Sequence, residues 1–523
     1  MSEQVPFFSI LTPVYDPPLK ALSAAIESVC AQTFRDWELI LVDDASTSDA
    51  VSALLSQAAE NDERVRVVER AVNGGIVESS NDAIRAARGQ FLALLDHDDV
   101  LMSRALERVH AVLAETPDVD YVYSDEDKID STGKHYEEFR TPDWSPVRLR
   151  GQMYTSHLCV LRASLVRQVG GFRTGFDGSQ DHDLVLRVTE RARQVAHIPE
   201  VLYHWRVVPG SAAGDTEAKP YAWDAGCRAV QDQLDRLGIA GTASRGQVRG
   251  TYRIERVADP GTSVSIIIPT RGGSGMVWGE RRCFVLDAVA SMLARTSLPR
   301  IEIVVVYDLD TPADVLDGLR RVAGDRLLLV PFAEKFNFSA KCNAGFVASS
   351  GDVVVLVNDD VQAITEGFLE QLVAPLTESG VGMTGARLLF ANGRLQHGGH
   401  GYEKGHLRHV FYGASPDDPG PFAALRINRE CSGLTAACVA LRRETYDEIG
   451  GMCEELPCNF NDVDFSLKVR RQGGRLVWLA DVALYHFESQ SREPVVHGWE
   501  HDFVKRRWVI PAHDSFLPGF SEM

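Results

Sequence analysis

The chain is punctuated by short apolar runs that stop abruptly at polar or acidic residues. FSILTPV (Phe8 to Val14), ELILVDD (Glu38 to Asp44) and FLALLDHDD (Phe91 to Asp99) are of this kind. Runs of this length, rich in branched aliphatic residues and bounded by turn formers, predict buried β-strands. Between them lie stretches with apolar residues at helical spacing, such as Leu19 to Gln32 and Ser103 to Glu115. The alternation predicts βαβ units and a mostly parallel, doubly wound α/β sheet. Ligands of such sheets bind outside the carboxyl ends of the strands, where the acids of VDD and LDHDD fall.

The pattern is written twice. FSILTPVYD (Phe8 to Asp16) recurs as VSIIIPTRG (Val264 to Gly272), ELILVDDAS (Glu38 to Ser46) as EIVVVYDLD (Glu302 to Asp310), and FLALLDHDD as VVVLVNDDV (Val353 to Val361). DHDLVLRV (Asp181 to Val188) recurs as DVDFSLKV (Asp462 to Val469), and LYHW (Leu202 to Trp205) as LYHF (Leu484 to Phe487). The blocks keep their order, and the offset between copies drifts from 256 to 282 residues. That period is far too long for a solenoid and marks a duplicated domain. The expected organisation is a first domain over 1–240, a linker over 241–262 that contains DPG (Asp259 to Gly261), and a second domain over 263–523 with a C-terminal extension.

Composition narrows the function. The 523 residues are 45% apolar and 24% charged, an ordinary globular balance. With 54 Lys and Arg against 73 Asp and Glu, the net charge is −19. A polyanion would be repelled at long range, so no nucleic-acid partner is expected. The nine cysteines are scattered without a C-x-x-C pair, which fits free thiols in a reducing compartment. MSEQVPFFSI has no basic n-region, and no apolar run approaches 18 residues, so a cytoplasmic protein is expected.

The acids carry the candidate chemistry. Asp96, Asp98 and Asp99 crowd one strand end, and Asp43 and Asp44 another. Such clusters serve either as solvated loops and helix caps or as cradles for a hard divalent cation completed by substrate phosphates. Asp181 and Asp183 stand at the start of a predicted helix, as caps or as a base that removes a hydroxyl proton. His204 follows a strand, where a lone histidine is usually structural, but the second copy repeats it as His486.

The ordered set S-I-x-x-P-x-Y, V-D-D-x-S, D-x-D-D, G-G-F, Q-D-x-D-L-x-x-R and Y-H-W-R resembles the inverting family 2 glycosyltransferases of GT-A fold. The second copy supplies S-I-I-I-P-T, N-D-D, G-G-M, N-D-V-D and Y-H-F-E-S-Q-S-R, so the resemblance spans nearly the whole chain. Tandem chains of this type resemble enzymes of bacterial surface polysaccharides such as rhamnan and O-antigen-like polymers. The resemblance implies that Pro13, Tyr15 and Asp44 line the nucleotide-base pocket, with Asp44 accepting a base N–H. It implies that Asp96 faces the ribose and diphosphate, that Asp98 holds Mg²⁺ or Mn²⁺, and that His204 approaches the metal or diphosphate. Asp181 becomes the catalytic base, with Gln180 where the family usually has Glu. The implied partners are a UDP-, dTDP- or GDP-sugar donor and a glycan or lipid-linked glycan acceptor.

In the second copy Pro269, Asp308 and Asn358 take the donor-binding positions, Asp360 and His486 the metal positions, and Asp462 the base. Asn358 replaces an acid and Tyr307 replaces Asp43, so a copy decayed to a scaffold is the alternative to two working sites. A nucleotidyltransferase would need a basic Gly-rich loop after the first strand, and TPVYDPP has none. A sugar-nucleotide sensor would not need the two base candidates. LQHGGHGYEKGHLRH (Leu395 to His409) invites a zinc site, but it lacks an HExxH helix and glycines interrupt it, so none is expected there. FVKRRWVIP (Phe503 to Pro511) is a basic-aromatic stretch that reads first as a solvated helix and alternatively as a contact with a membrane surface, at the inner face of the plasma membrane in this setting.

Overall fold

The computed structural model describes residues 5–130, 132–207, 220–487 and 498–519. The part of Y-H-F-E-S-Q-S-R beyond Phe487 lies outside the described residues. The chain forms two compact units. The first comprises Met1–Trp144, Gln152–Leu237 and Ala243–Tyr252; the second comprises Ser145–Gly151, Gly238–Thr242 and Arg253–Met523.

The first unit is built on β1 (Phe8–Val14), β2 (Trp37–Asp43), β3 (Val65–Glu69), β4 (Phe91–Leu94), β5 (Val100–Leu101), β6 (Val119–Ile129), β7 (His135–Phe139), β8 (Cys159–Arg162) and β9 (Gln194–Arg206). Their order is β3-β2-β1-β4-β8-β6-β9-β5, with β7 paired to β6. β3, β2, β1 and β4 run parallel, as do β6 and β9, whereas β8 is antiparallel to both neighbours. The parallel half is the doubly wound sheet that the alternating pattern predicts, with helices such as Leu19–Cys30 and Gly75–Ala86 as crossovers.

The second unit repeats the plan with β10 (Val264–Thr270), β11 (Ile301–Asp308), β12 (Leu327–Phe332), β13 (Val353–Val357), β14 (Val361–Ala363), β15 (Val381–Leu389), β16 (Leu395–His397), β17 (His400–Glu403), β18 (His406–His409), β19 (Cys438–Arg442) and β20 (Arg475–His486). The order β12-β11-β10-β13-β19-β15-β20-β14 matches that of the first unit strand for strand. Side chains alternate between the two faces of the sheet. Ile266, Ile268, Ile303 and Val305 join one core cluster, and Ile267, Val304 and Val306 join another. A strand buried on both faces reads as a continuous apolar run, which is why VSIIIPT and EIVVVY look as they do.

The duplication extends to single hydrogen bonds. Ser9 Oγ donates to Glu38 at 2.7 Å and accepts from the Gly89 amide at 2.8 Å; Ser265, Glu302 and Gly351 repeat both bonds at 2.5 and 2.7 Å. A Cβ at either glycine would lie 2.6 Å from the serine, so only glycine fits.

Candidate functional site

In the first unit the carboxyl ends of β1, β2 and β4 form one edge. Past β1, Tyr15 is exposed, and Asp16 adopts a left-handed backbone (φ 40°). Asp16 accepts hydrogen bonds from the Thr47 amide (2.9 Å), the Thr47 hydroxyl (2.8 Å) and the Ser48 amide (3.2 Å). It thereby ties the loop after β1 to the loop after β2. Pro13 is half-buried on β1, opposite Val42, and its carbonyl meets His97 Nδ1 at 3.1 Å. Asp44 is buried, and its carboxylate takes Arg70 Nη1 at 2.5 Å and the Gly74 and Gly75 amides at 2.9 and 2.8 Å. Asp44 is thus oriented by three internal donors.

Beyond β4 the three acids diverge. Asp96 is exposed, Asp98 is half-buried, and Asp99 is buried. Asp99 takes the Tyr203 hydroxyl at 2.5 Å and the Arg206 amide at 2.7 Å. Burial raises the Asp98 carboxyl, partly countered by His97, and it raises Asp99 well above the usual range. Ligand atoms of Asp96, Asp99 and His157 lie within 4.8 Å of one another. Burial alone would lower His157, but Glu126 (Nδ1 at 2.6 Å), Asp99 and Asp96 outweigh it and raise the imidazole to about 9. His157 is therefore a cation facing the acidic edge, and its ring stacks on Tyr203 at 4.3 Å.

Asp181 opens the helix Gln180–Thr189 and accepts from Gln180 Nε2 at 2.8 Å. Burial, followed by the charge of Asp96, raises it to about 6. Asp183, two residues on, is fully buried and holds Arg173 and Arg187, the latter from Nη2 at 2.6 Å. Arg187 also reaches the Gly171 carbonyl at 2.8 Å. The second acid and the arginine of Q-D-x-D-L-x-x-R therefore lock the helix start onto the G-G-F turn and leave Asp181 facing the edge. His204 pairs through Nδ1 with Asp127 at 2.6 Å, and His135 meets the same carboxylate at 2.9 Å. These three make a second group of ligand atoms within 4.8 Å, distinct from that of Asp96.

The second unit arranges the same positions differently. Asp308 at the end of β11 pairs with Lys341 at 2.5 Å, where the first unit uses Arg70. Lys341 is buried and also donates to the Thr270 carbonyl at 3.0 Å, beside Pro269. His486 Nε2 lies 3.1 Å from both Asn358 Nδ2 and Asp360 Oδ1, and its Nδ1 meets Gln396 at 2.6 Å. Asn358, Asp360 and His486 thus come together, whereas in the first unit His204 groups with Asp127 and His135, and Asp98 joins neither that group nor the one formed by Asp96, Asp99 and His157. Asn358 Oδ1 is buried and has no hydrogen-bond partner among the described residues. An orphaned acceptor beside a carboxylate and an imidazole is a donor set that Mg²⁺ or, given the nitrogen, Mn²⁺ fits. Asp462 opens the helix Asn461–Arg471, is raised by burial against the opposing influence of His409, and stands 3.9 Å from His400 Nε2.

Several of these neighbours carry no short-range signal in the sequence. His157, Arg70, Lys341 and Gln396 reach the sites from distant segments. Asp127 lies in the acidic stretch YVYSDEDKID (Tyr121 to Asp130), where nothing local distinguishes it from its acidic neighbours. The glycines that argue against a site in LQHGGHGYEKGHLRH are what allow His397, His400 and His409 to converge, as Gly399 at φ +102° shows. In the C-terminal segment, Arg507 and Trp508 turn inward to Asp464, at 3.0 and 2.8 Å. Among the described residues no helix is long and apolar enough to cross a membrane, and none of the nine cysteines forms a disulfide.

The family model for glycosyl transferase family 2 matches residues 9–169 and again 265–450. The chain belongs to this family, with one copy in each unit, and the two α/β units have its GT-A architecture. Both matches end before Asp181, His204, Asp462 and His486. The uncharacterised protein y4gI of Sinorhizobium fredii is 41% identical over 99% of this chain and 57% of its own length. The O-antigen biosynthesis protein RfbC of Myxococcus xanthus is 33% identical over 98% of this chain and 40% of its own length. The chain therefore spans about half the length of these relatives. Among solved structures, S. aureus TarS 1-349 in complex with UDP-GlcNAc matches at 18% identity and a TM-score of 0.37, over 44% of this chain and 66% of that one.

Proposed function

We propose that the chain is a glycosyltransferase of polysaccharide biosynthesis that transfers sugars from nucleotide-sugar donors to a growing, lipid-linked glycan, with inversion and with both units active. The observation that carries this is Asp181. It is a carboxylate raised to about 6 by burial beside the acidic edge, while its neighbour Asp183 is committed to two arginines. A base poised near neutrality and facing a phosphate-binding edge suits removal of a proton from an acceptor hydroxyl.

Asp44 and Asp308, each oriented by a basic residue, present a fixed acceptor to the nucleotide base. Asp96 with Asp98, and Asn358 with Asp360 and His486, supply the oxygen and nitrogen donors for Mg²⁺ or Mn²⁺, which when bound neutralises the leaving diphosphate. His157 adds a fixed positive charge at the edge of the first unit, available to the same phosphates. Asp181 and Asp462 accept the acceptor's proton as the new bond forms, so a single displacement needs no enzyme nucleophile. An acceptor anchored in a lipid would bring the protein to the inner face of the plasma membrane. Similarity to the O-antigen biosynthesis protein RfbC supports the polysaccharide context.

The test is a screen of UDP-, dTDP- and GDP-sugars for transfer with Mg²⁺ or Mn²⁺ present. Chelation is expected to abolish transfer and re-addition of the ion to restore it. Undiminished transfer in excess EDTA would remove the metal role from Asp98 and Asp360.

A further inference from the structure

We propose that the second unit carries a binding site for one divalent cation of the Zn²⁺ class, built from His397, His400 and His409. The three side chains offer ligand nitrogens that all lie within 4.8 Å of one another. His397 Nδ1 and His409 Nδ1 are 3.0 Å apart, and each pair of rings is inclined at 79° with centroids 4.7 to 5.1 Å apart. A tetrahedral ion with Zn–N bonds of about 2.0–2.1 Å separates its ligand nitrogens by about 3.4 Å, so only small side-chain shifts are needed.

The scaffold is built for this convergence. His400 and His409 face each other in the register of the β17–β18 hairpin. His400 is fixed by its amide on the Gly433 carbonyl at 2.7 Å, and a Cβ at Gly433 would press on the His400 ring at 3.0 Å. His397 and His400 are buried, while His409 is exposed and leaves a path from solvent. A chain of hydrogen-bonded imidazoles accounts for the His397–His409 contact but not for His400. Its Nδ1 is buried with no partner among the described residues, and its Nε2 is 3.9 Å from Asp462, beyond hydrogen-bond length. An ion accounts for all three rings. Three imidazoles with no carboxylate among them select Zn²⁺, Ni²⁺ or Cu²⁺ over Mg²⁺, which demands oxygen. Three protein ligands leave a fourth position open, as in zinc sites that bind water or substrate. Coordination through His397 Nδ1 shifts that ring's proton to Nε2 and gives up the 3.2 Å bond from the Thr435 amide. Because imidazole binds a metal ion only through an unprotonated nitrogen, zinc is expected to be released as pH falls.

The site does not depend on the chain being a glycosyltransferase, and its test needs no turnover. The full chain, stripped with chelator, is titrated with ZnCl₂ by calorimetry in millimolar MgCl₂, which occupies the carboxylate cradles. One saturable equivalent is expected, and Co²⁺ in its place should give the visible absorption of a tetrahedral nitrogen site. His400→Ala and His409→Gln should each weaken binding at least about tenfold. His409 is exposed, so His409→Gln tests the site even where His400→Ala fails to fold. His486→Gln should leave the zinc equivalent in place. Absence of zinc binding in Mg²⁺, unchanged binding by folded His409→Gln, or loss of the equivalent in His486→Gln would each overturn the proposal.

Discussion

Asp181 and Asp183 stand two residues apart on one helix and meet opposite environments. Asp183 is matched by two guanidiniums, whereas Asp181 accepts from the neutral amide of Gln180. Burial and the charge of Asp96 then raise Asp181 to about 6, against about 4 for an ordinary aspartate. The group acts as a base only when ionised, so transfer by the first unit should climb with pH through about 6 and level off above it. An Asp462→Asn background isolates that activity, and the kcat/KM profile reads the limb. A profile flat down to pH 5 would mean that Asp181 is not the base. Asp181→Asn should cost at least about 100-fold in kcat, with donor affinity kept, because the base faces the acceptor. Collapse of donor binding with near-normal turnover would instead make Asp181 a binding residue. The residue types alone gave both acids the same two readings, and the family resemblance pointed to Asp181; the packing of Arg173 and Arg187 against Asp183 supplies the physical difference between them.

At the level of elements, strands and their terminal acids were legible because burial on both faces leaves an apolar run that must stop where the edge becomes polar. Long-range partners were not, since no local pattern reports which cation a strand-end acid will meet. Asp120 on β6 shows this. Burial alone would raise it, yet hydrogen bonds from Arg193 and Arg162 hold it at about 2. A carboxyl depressed in the folded state adds stability that is present above about pH 4 and lost as pH falls toward 2. Arg193 is half-exposed, so solvent screening keeps the contribution small. Arg193→Met should therefore lower the unfolding midpoint at pH 7 and have little effect near pH 2; an equal loss at both pH values would exclude the charge pairing. Glu378 is a harsher case. It sits between Arg150 (2.6 Å) and Arg256, all three nearly buried, and burial drives Arg256 down to about 10 against the pull of Glu378. Glu378→Gln removes the carboxylate shared by two buried guanidiniums and should cost about 3–5 kcal/mol, seen as an earlier unfolding transition of the second unit. An unchanged transition would show that solvent reaches the pair. Arg150 lies in Ser145–Gly151, a piece of the first copy's sequence that packs within the second unit, and nothing in its local pattern announces that.

On the scale of the whole molecule, duplication is the dominant fact, and it was the most legible one, because five ordered blocks survive in each copy. What the repeat did not disclose is how far the two sites have diverged. The first unit brings a cationic histidine to Asp96 and Asp99 and holds His204 on Asp127; the second gathers Asn358, Asp360 and His486 and sets Asp462 beside a histidine cluster. A copy retained only as scaffold has no need of an orphaned acceptor at Asn358 or of a buried lysine aimed at Asp308. Divergent sites that both keep a base candidate fit two different transfers better than one transfer made twice. Two activities on one chain would raise the concentration of the intermediate glycan at the second site, as tethering does for linked modules. Asp181→Asn should then eliminate one linkage and Asp462→Asn the other, each variant still completing its partner's step on a suitable acceptor. Linkage analysis of the two product sets decides the matter. If Asp462→Asn leaves every product unchanged while Asp181→Asn abolishes transfer, the second unit is a scaffold and Asn358 the trace of its decay.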